Sequence, residues 1–331
     1  MKIYLKVVLL FMFGITICCG EESSSIKAKW EMPPSCTPFD PPRISDLKEE
    51  LRKTGYRLVI AIRPENPDES KGESISRDLY IVNADGTGLK RLTNTPDKDE
   101  TRPRVSPNGK LFTYDAGKYL VDVKTLKTKQ INGGPTWTPD SKRTVNWDGR
   151  GIFFIDIETG ERSQPIPCEQ KVGNVDMSSD SKWFIFEIRD YLGKPYTIDF
   201  ISSSGGKIRK MPNHPPVKGK GEGECHPALS PDGKWMCWNT EATLAIRKFD
   251  PTLPDGTDEK IIDLPCGEDP CGRWSHCGRY IAYVKHKAWR VPDSLYIMRI
   301  VDKETIMISP EGWVGHHWDY DWLPPEDLEN K

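Results

Sequence analysis

Several things are scarce in this sequence, and each scarcity excludes something. Net charge is one: 47 Lys and Arg stand against 49 Asp and Glu, a formal charge of -2. That rules out the broad basic footprint of a nucleic-acid-binding protein. Long apolar runs are another. Hydrophobic residues make up 36% of the chain, and the run at residues 7–17 has 11 positions. A helix crossing a bilayer core needs about 20, so no segment reads as membrane-spanning. Catalytic signatures are missing too: there is no G-x-S-x-G elbow, H-E-x-x-H or P-loop. The absence of C-x-x-C-H excludes c-type haem attachment. Acidic turns occur, but without the D-x-D-x-D-G loop of a calcium site.

Turn formers and tryptophan are plentiful, with 28 Pro, 27 Gly and 11 Trp among 331 residues. Proline and glycine at this density break long helices and favour many short strands. Gly219-Lys220-Gly221-Glu222-Gly223 is glycine-rich but opens no predicted helix, so it reads as a loop rather than a cofactor cradle.

The N-terminus has the form of an export signal. Lys2 and Lys6 precede the apolar run, which has the dimensions of a signal-peptide core. Cys18 and Cys19 end it, followed by the polar stretch Gly20-Glu21-Glu22-Ser23-Ser24-Ser25. This resembles a bacterial lipoprotein signal, in which the new N-terminal cysteine is acylated. Cys19 fits the lipidated position better than Cys18, although the preceding residue departs from the small residue such signals carry. The alternative is ordinary secretion with cleavage nearby. Both place the mature chain outside the cytoplasm, anchored in the first case at the periplasm or cell surface.

Seven cysteines then remain, an odd number that leaves at least one thiol without an intramolecular mate. Cys266, Cys271 and Cys277 cluster beside His276 with spacings unlike the usual zinc hooks. An oxidising compartment favours a local disulfide there.

A repeat organises the rest. Ser106-Pro107-Asn108-Gly109-Lys110 and Ser230-Pro231-Asp232-Gly233-Lys234 are its strongest copies. Thr138-Pro139-Asp140-Ser141-Lys142, Ser178-Ser179-Asp180-Ser181-Lys182 and Ser275-His276-Cys277-Gly278-Arg279 are weaker, and Leu323-Pro324-Pro325-Glu326 is degraded. Counting from positions 106, 138, 178, 230, 275 and 323, the spacings are 32, 40, 52, 45 and 48 residues. Their mean of about 43 is the period of a four-stranded propeller blade. Proline presets the turn, Asp or Asn caps it, and Gly takes the positive φ that closes it. Ser141 and Ser181 are therefore expected to be strained at that last position.

These residues carry a resemblance. Residues 78–114, DLYIVNADGTGLKRLTNTPDKDETRPRVSPNGKLFTY, look like the repeat of TolB-type β-propellers, and the likeness extends over about residues 56–326. The expected fold is all-β: a six-bladed propeller of four-stranded blades. Residues 56–63 read as a second strand lacking a first, and residues 317–322 as a first strand with nothing after it. Pairing them closes the ring from the two chain ends and removes its open edges. The expected organisation is signal 1–19, tether and cap 20–55 with a short helix near 44–54, propeller 56–326 and tail 327–331. The resemblance implies a periplasmic partner such as a peptidoglycan-associated lipoprotein. TolB proteins, however, carry a further α/β domain where residues 20–55 stand here.

Candidate ligand-binding residues stand where each innermost strand begins, around the expected tunnel mouth: Arg102, Asn174, His226, Cys271, His317 and Asp319, with Gly134 at the same place in another blade. No catalytic set emerges from them. The leading expectation is a non-catalytic envelope scaffold that binds a protein or glycan and needs no cofactor. The alternative is a metal-dependent carbohydrate-active enzyme resembling oligogalacturonate lyases, with His226, His316 and His317 holding a divalent metal. The loops at 64–77, 211–224, 286–292 and 310–315, which include Trp289 and Trp313, are expected to share the binding face.

Overall fold

The computed structural model describes residues 38–63, 76–95, 97–168, 171–188, 197–211, 225–240, 243–252, 261–264, 266, 270–285, 294–309 and 319–325. The expected signal with Cys19, and His316 and His317, lie outside these residues. So do most of the four loops assigned to the binding face. Among the described residues no helix is long and apolar enough to cross a membrane.

Among the described residues one short helix, α1 (Leu47–Thr54), precedes 23 strands. The first blade contributes β1 (Arg57–Ile62), β2 (Asp78–Asn83) and β3 (Lys90–Arg91). The second is β4 (Arg104–Val105), β5 (Leu111–Tyr114), β6 (Tyr119–Asp122) and β7 (Thr128–Gln130). The third holds β8 (Thr136–Trp137), β9 (Arg143–Asp148) and β10 (Gly151–Asp156). The fourth is β11 (Val172–Met177), β12 (Trp183–Ile188), β13 (Thr197–Ser202) and β14 (Arg209–Lys210). The fifth is β15 (Cys225–Leu229), β16 (Trp235–Asn239), β17 (Leu244–Lys248) and β18 (Ile262–Leu264). The sixth is β19 (Arg273–Trp274), β20 (Tyr280–Lys285), β21 (Ser294–Arg299) and β22 (Thr305–Met307), after which β23 (Tyr320–Leu323) returns to the first.

Every blade is an antiparallel meander, and together the six form the expected propeller. In the third, the outer edge is made by the isolated bridges Ile152↔Ile166 and Ile155↔Arg162 rather than a regular strand. The ring closes as the chain order requires: β23 pairs with β1, with Arg57 opposite Leu323 and Ile60 opposite Tyr320.

The repeated turn shows why its residue types recur. Ser106 Oγ accepts from Leu111 N at 3.0 Å and donates to Asn108 Oδ1 at 2.8 Å, while Asn108 Oδ1 also accepts from Lys110 N. Ser178 with Asp180 and Ser230 with Asp232 repeat the arrangement. Gly109 and Gly233 take φ of +71° and +69°, and Ser141 and Ser181 are held at +60° in the same place. That conformation costs a residue with a Cβ about 1 kcal/mol.

Five apolar clusters fill wedges between neighbouring sheets rather than a single centre. The largest, between the sixth and first blades, also receives Leu47 and Leu51 of α1. Asp46 caps that helix through Glu49 N at 2.6 Å, and Gly55 ends it at φ +70°. Glu50, on its inner face, is buried between Arg299 and Arg279. Arg299 also donates to the carbonyls of Ile44 and Ser45, and Arg279 to that of Pro41, so two guanidinia tie the segment before the helix to the sixth blade. Indoles tie blades together near the axis: Trp137 donates to Arg104 O, Trp274 to Ala228 O and Trp322 to Arg273 O, at 2.9–3.2 Å.

The expected local disulfide is not formed; among the described residues the cysteines make none. The reason is topological. Cys266 belongs to the wedge between the fifth and sixth blades, Cys271 precedes an innermost strand, and Cys277 sits in a turn, 3.5 Å from Ser275 Oγ.

Candidate functional site

The six equivalent positions at the starts of the innermost strands are Arg102, Gly134, Asn174, His226, Cys271 and Asp319. Four of them adopt positive φ: Arg102 at +53°, Asn174 at +36°, His226 at +53° and Cys271 at +46°. Asn174 and His226 each lie inside an irregularity of the strand ladder, between Gly173 and Asp176 and between Cys225 and Ala228. A bulge there re-aims the side chain and turns the strand into the tunnel, and such backbone strain concentrates at functional sites. Gly134 is glycine for a steric reason, since a Cβ would lie 1.9 Å from Val145 O.

These residues are bonded both within their blades and to the next blade. Buried Glu187, on β12, accepts from Asn174 Nδ2 at 2.8 Å and from His226 N at 3.0 Å. Buried Asn239, on β16, accepts from Cys271 N at 2.8 Å through Oδ1 and directs Nδ2 to His226 Nδ1 at 3.2 Å. Because the Cys271 N–H fixes the amide's orientation, His226 Nδ1 must accept, and the ring proton rests on Nε2. Metal ligation through Nε2 would require moving that proton and breaking the Asn239 contact. Asp319, wholly buried, receives Arg102 N at 3.0 Å and Arg77 Nη1 at 2.6 Å. Arg77 also grips Asp99 through Nε at 2.8 Å, which holds the Asp99 carboxyl below its usual range against the opposing effect of burial.

Thus the structure brings Asn174, His226 and Cys271 into one network, through Glu187 and Asn239, and Arg102 and Asp319 into another. Among the described residues no three His, Cys, Asp or Glu side chains gather as a metal site.

Two residues further along the same strands lies a second ring that the sequence reading passed over: Arg104, Thr136, Asp176, Ala228, Arg273 and Asp321. Alternation could have found it, because residues i and i+2 of a strand share a face. Burial raises the Asp176 carboxyl above the ordinary range, against two backbone donors. Burial, then the charge of Arg273, lowers Arg104 to about 10. Arg273 itself moves up: burial opposes its charge, but Cys271, Asp321 and Asp176 outweigh it.

No described protein family matches the chain, and no curated protein does. Solved structures do. TolB from Acinetobacter baumannii superposes with a TM-score of 0.61 at 20% identity, covering 82% of this chain and 67% of that one. The propeller fold is shared with TolB. A nidogen/laminin complex matches at TM-score 0.54 and 11% identity, over 81% of this chain and 98% of that one. Oligogalacturonate lyase from Vibrio parahaemolyticus reaches 0.47 at 16% identity, over 75% and 78%. At these identities the likeness to TolB is one of fold, and fold leaves function to the site.

Proposed function

We propose that this protein is a non-catalytic scaffold of the cell envelope, exported and anchored through a lipid on Cys19. In this reading the propeller presents its tunnel-mouth face to an envelope protein or glycan. One observation carries the proposal: the acceptor side chains at the mouth, Glu187, Asn239 and Asp319, are committed to hydrogen bonds within their own blade and to backbone N–H groups of the next. Glu187 and Asn239 spend their acceptors on Asn174, His226 and Cys271, and Asp319 spends its own on Arg77 and Arg102. Such a network makes a rigid rim, and rigidity favours binding by lowering the ordering cost. Catalysis would instead need a base or nucleophile available to a substrate.

The test is native co-purification from detergent-solubilised envelopes, with metal analysis of the same preparation. A partner that is retained by the wild type and lost on His226→Ala supports the scaffold. Stoichiometric Mn²⁺, lost in a His226→Ala/His317→Ala variant, would overturn it in favour of the metal-dependent enzyme. Radiolabelled palmitate on the wild type but not on Cys19→Ser tests the anchor, and an unlabelled wild type removes it.

A further inference from the structure

At the opposite end of the tunnel from the mouth ring, the hairpin turns surround a cavity of about 600 Å³. That volume suits a small organic ligand, whose sites span roughly 300–1,000 Å³. Its rim is made by the second residue of the repeated turn: Pro107, Pro139, Ser179, Pro231, His276 and Pro324. Beneath the rim stand Arg104, Asp176, Arg273 and Asp321, and Trp137, Trp274 and Trp322 supply apolar wall between them.

The four charges are not equivalent. Asp176 accepts from Met177 N at 2.9 Å and from Leu229 N, in the next blade, at 2.8 Å. Asp321 does the same with Trp322 N at 3.0 Å and Val105 N at 2.8 Å. Each carboxylate is therefore a strap between blades, with backbone donors on both oxygens. Arg104 Nη1 donates to the carbonyls of Pro103 and Tyr320, at 2.6 and 3.3 Å. Arg273 Nε and His276 Nδ1 are buried without a hydrogen-bond partner among the described residues. Buried polar atoms are normally satisfied, so a pair of exceptions on one wall marks a place where a partner is missing.

We propose that this cavity is an anion site that takes a single carboxylate, borne on an apolar body, at Arg104 and Arg273. The guanidinium fork suits the planar carboxylate. A dianion such as a phosphate monoester is disfavoured because Asp176 and Asp321 share the wall. The indoles and prolines receive the apolar remainder, as Trp does at binding surfaces. The site is independent of the mouth ring, and so of the function proposed above.

Calorimetric titration of the whole protein with N-acetyl-L-phenylalanine, and with its neutral amide, tests the assignment. The acid is expected to bind at least about tenfold more tightly than the amide, and phenyl phosphate more weakly than the acid. Arg273→Gln should bring the acid down to the level of the amide. Lys182→Ala, which removes a cation from an exposed turn of the same face, should change nothing. Phenylacetate separates the sources: parity with N-acetyl-L-phenylalanine points to small organic acids, and weaker binding to a peptide C-terminus. The proposal is overturned by equal affinity for acid and amide, by no acid binding up to roughly 10 mM, by a preference for phenyl phosphate, or by an Arg273→Gln variant that keeps the preference. Should that variant not fold, the acid-over-amide comparison on wild type decides alone.

Discussion

Arg77 Nη1 lies 2.6 Å from Asp319 Oδ2, joining residues 242 positions apart in the chain. The pair stands at the seam that turns six sheets into a ring, because Asp319 immediately precedes the closing strand β23. The same carboxylate accepts the N–H of Arg102 from the second blade. Asp319 therefore fastens closure from both sides.

Removing Arg77 should be costly. Breaking one side of a buried ion pair typically costs about 3–5 kcal/mol, because the other charge stays behind. Arg77→Ala is expected to lower the unfolding midpoint strongly, and Arg77→Ala/Asp319→Asn to recover part of the loss. A double variant that adds the two single losses would show that the contact contributes nothing. Denaturant unfolding of the four proteins measures it.

The cap makes a parallel case. Glu50 sits between Arg299 and Arg279, all three nearly inaccessible to solvent. Glu50→Ala should destabilise by a similar few kcal/mol and expose the wedge under α1. Faster proteolysis within residues 38–55, compared with wild type, would register the undocking.

Asp199 gives a pH dependence whose sign can be worked out. It is buried on β13, and burial raises its carboxyl from 3.8 to about 6, with Lys210 opposing. A raised folded pKa means the folded state favours the protonated acid. Its contribution is full below 3.8 and is lost as the pH rises to about 6. The loss amounts to about 3 kcal/mol by linkage. Asp199→Asn should flatten the stability–pH curve across this interval and be the more stable protein at pH 7. An unchanged slope would remove Asp199 from the account.

The two strained serines separate backbone cost from hydrogen bonding. Both sit at φ +60°, but Ser141 Oγ accepts from Asn108 N in the neighbouring blade at 3.1 Å. Ser181→Gly is expected to stabilise by up to about 1 kcal/mol. Ser141→Gly should gain less, because it also gives up a contact between blades. Paired thermal melts decide this, and equal gains would mean the Asn108 contact is immaterial.

Much of the architecture was legible because it is written locally and repeatedly. The turn at Ser230-Pro231-Asp232-Gly233 states its own geometry, and five related copies fix blade number and chain order. The strained Ser141 and Ser181 followed from the same template. What escaped was decided between blades. Nothing local marks Glu187 and Asn239 as acceptors for His226 and Cys271, since those pairs form only when separate sheets meet. Cys266, Cys271 and Cys277 are close in sequence, yet the meander sends them to different surroundings. Arg104, Asp176, Arg273 and Asp321 occupy short strands whose inward face is defined only by the tunnel.

The register of closure has a mechanical consequence. β1 begins at Arg57 and β23 ends at Leu323, and these two residues face each other across the ladder. A force drawing the chain's two ends apart would therefore load the backbone hydrogen bonds one after another, as in opening a zipper, rather than all at once in shear. Along this one line the ring is weak to a pull.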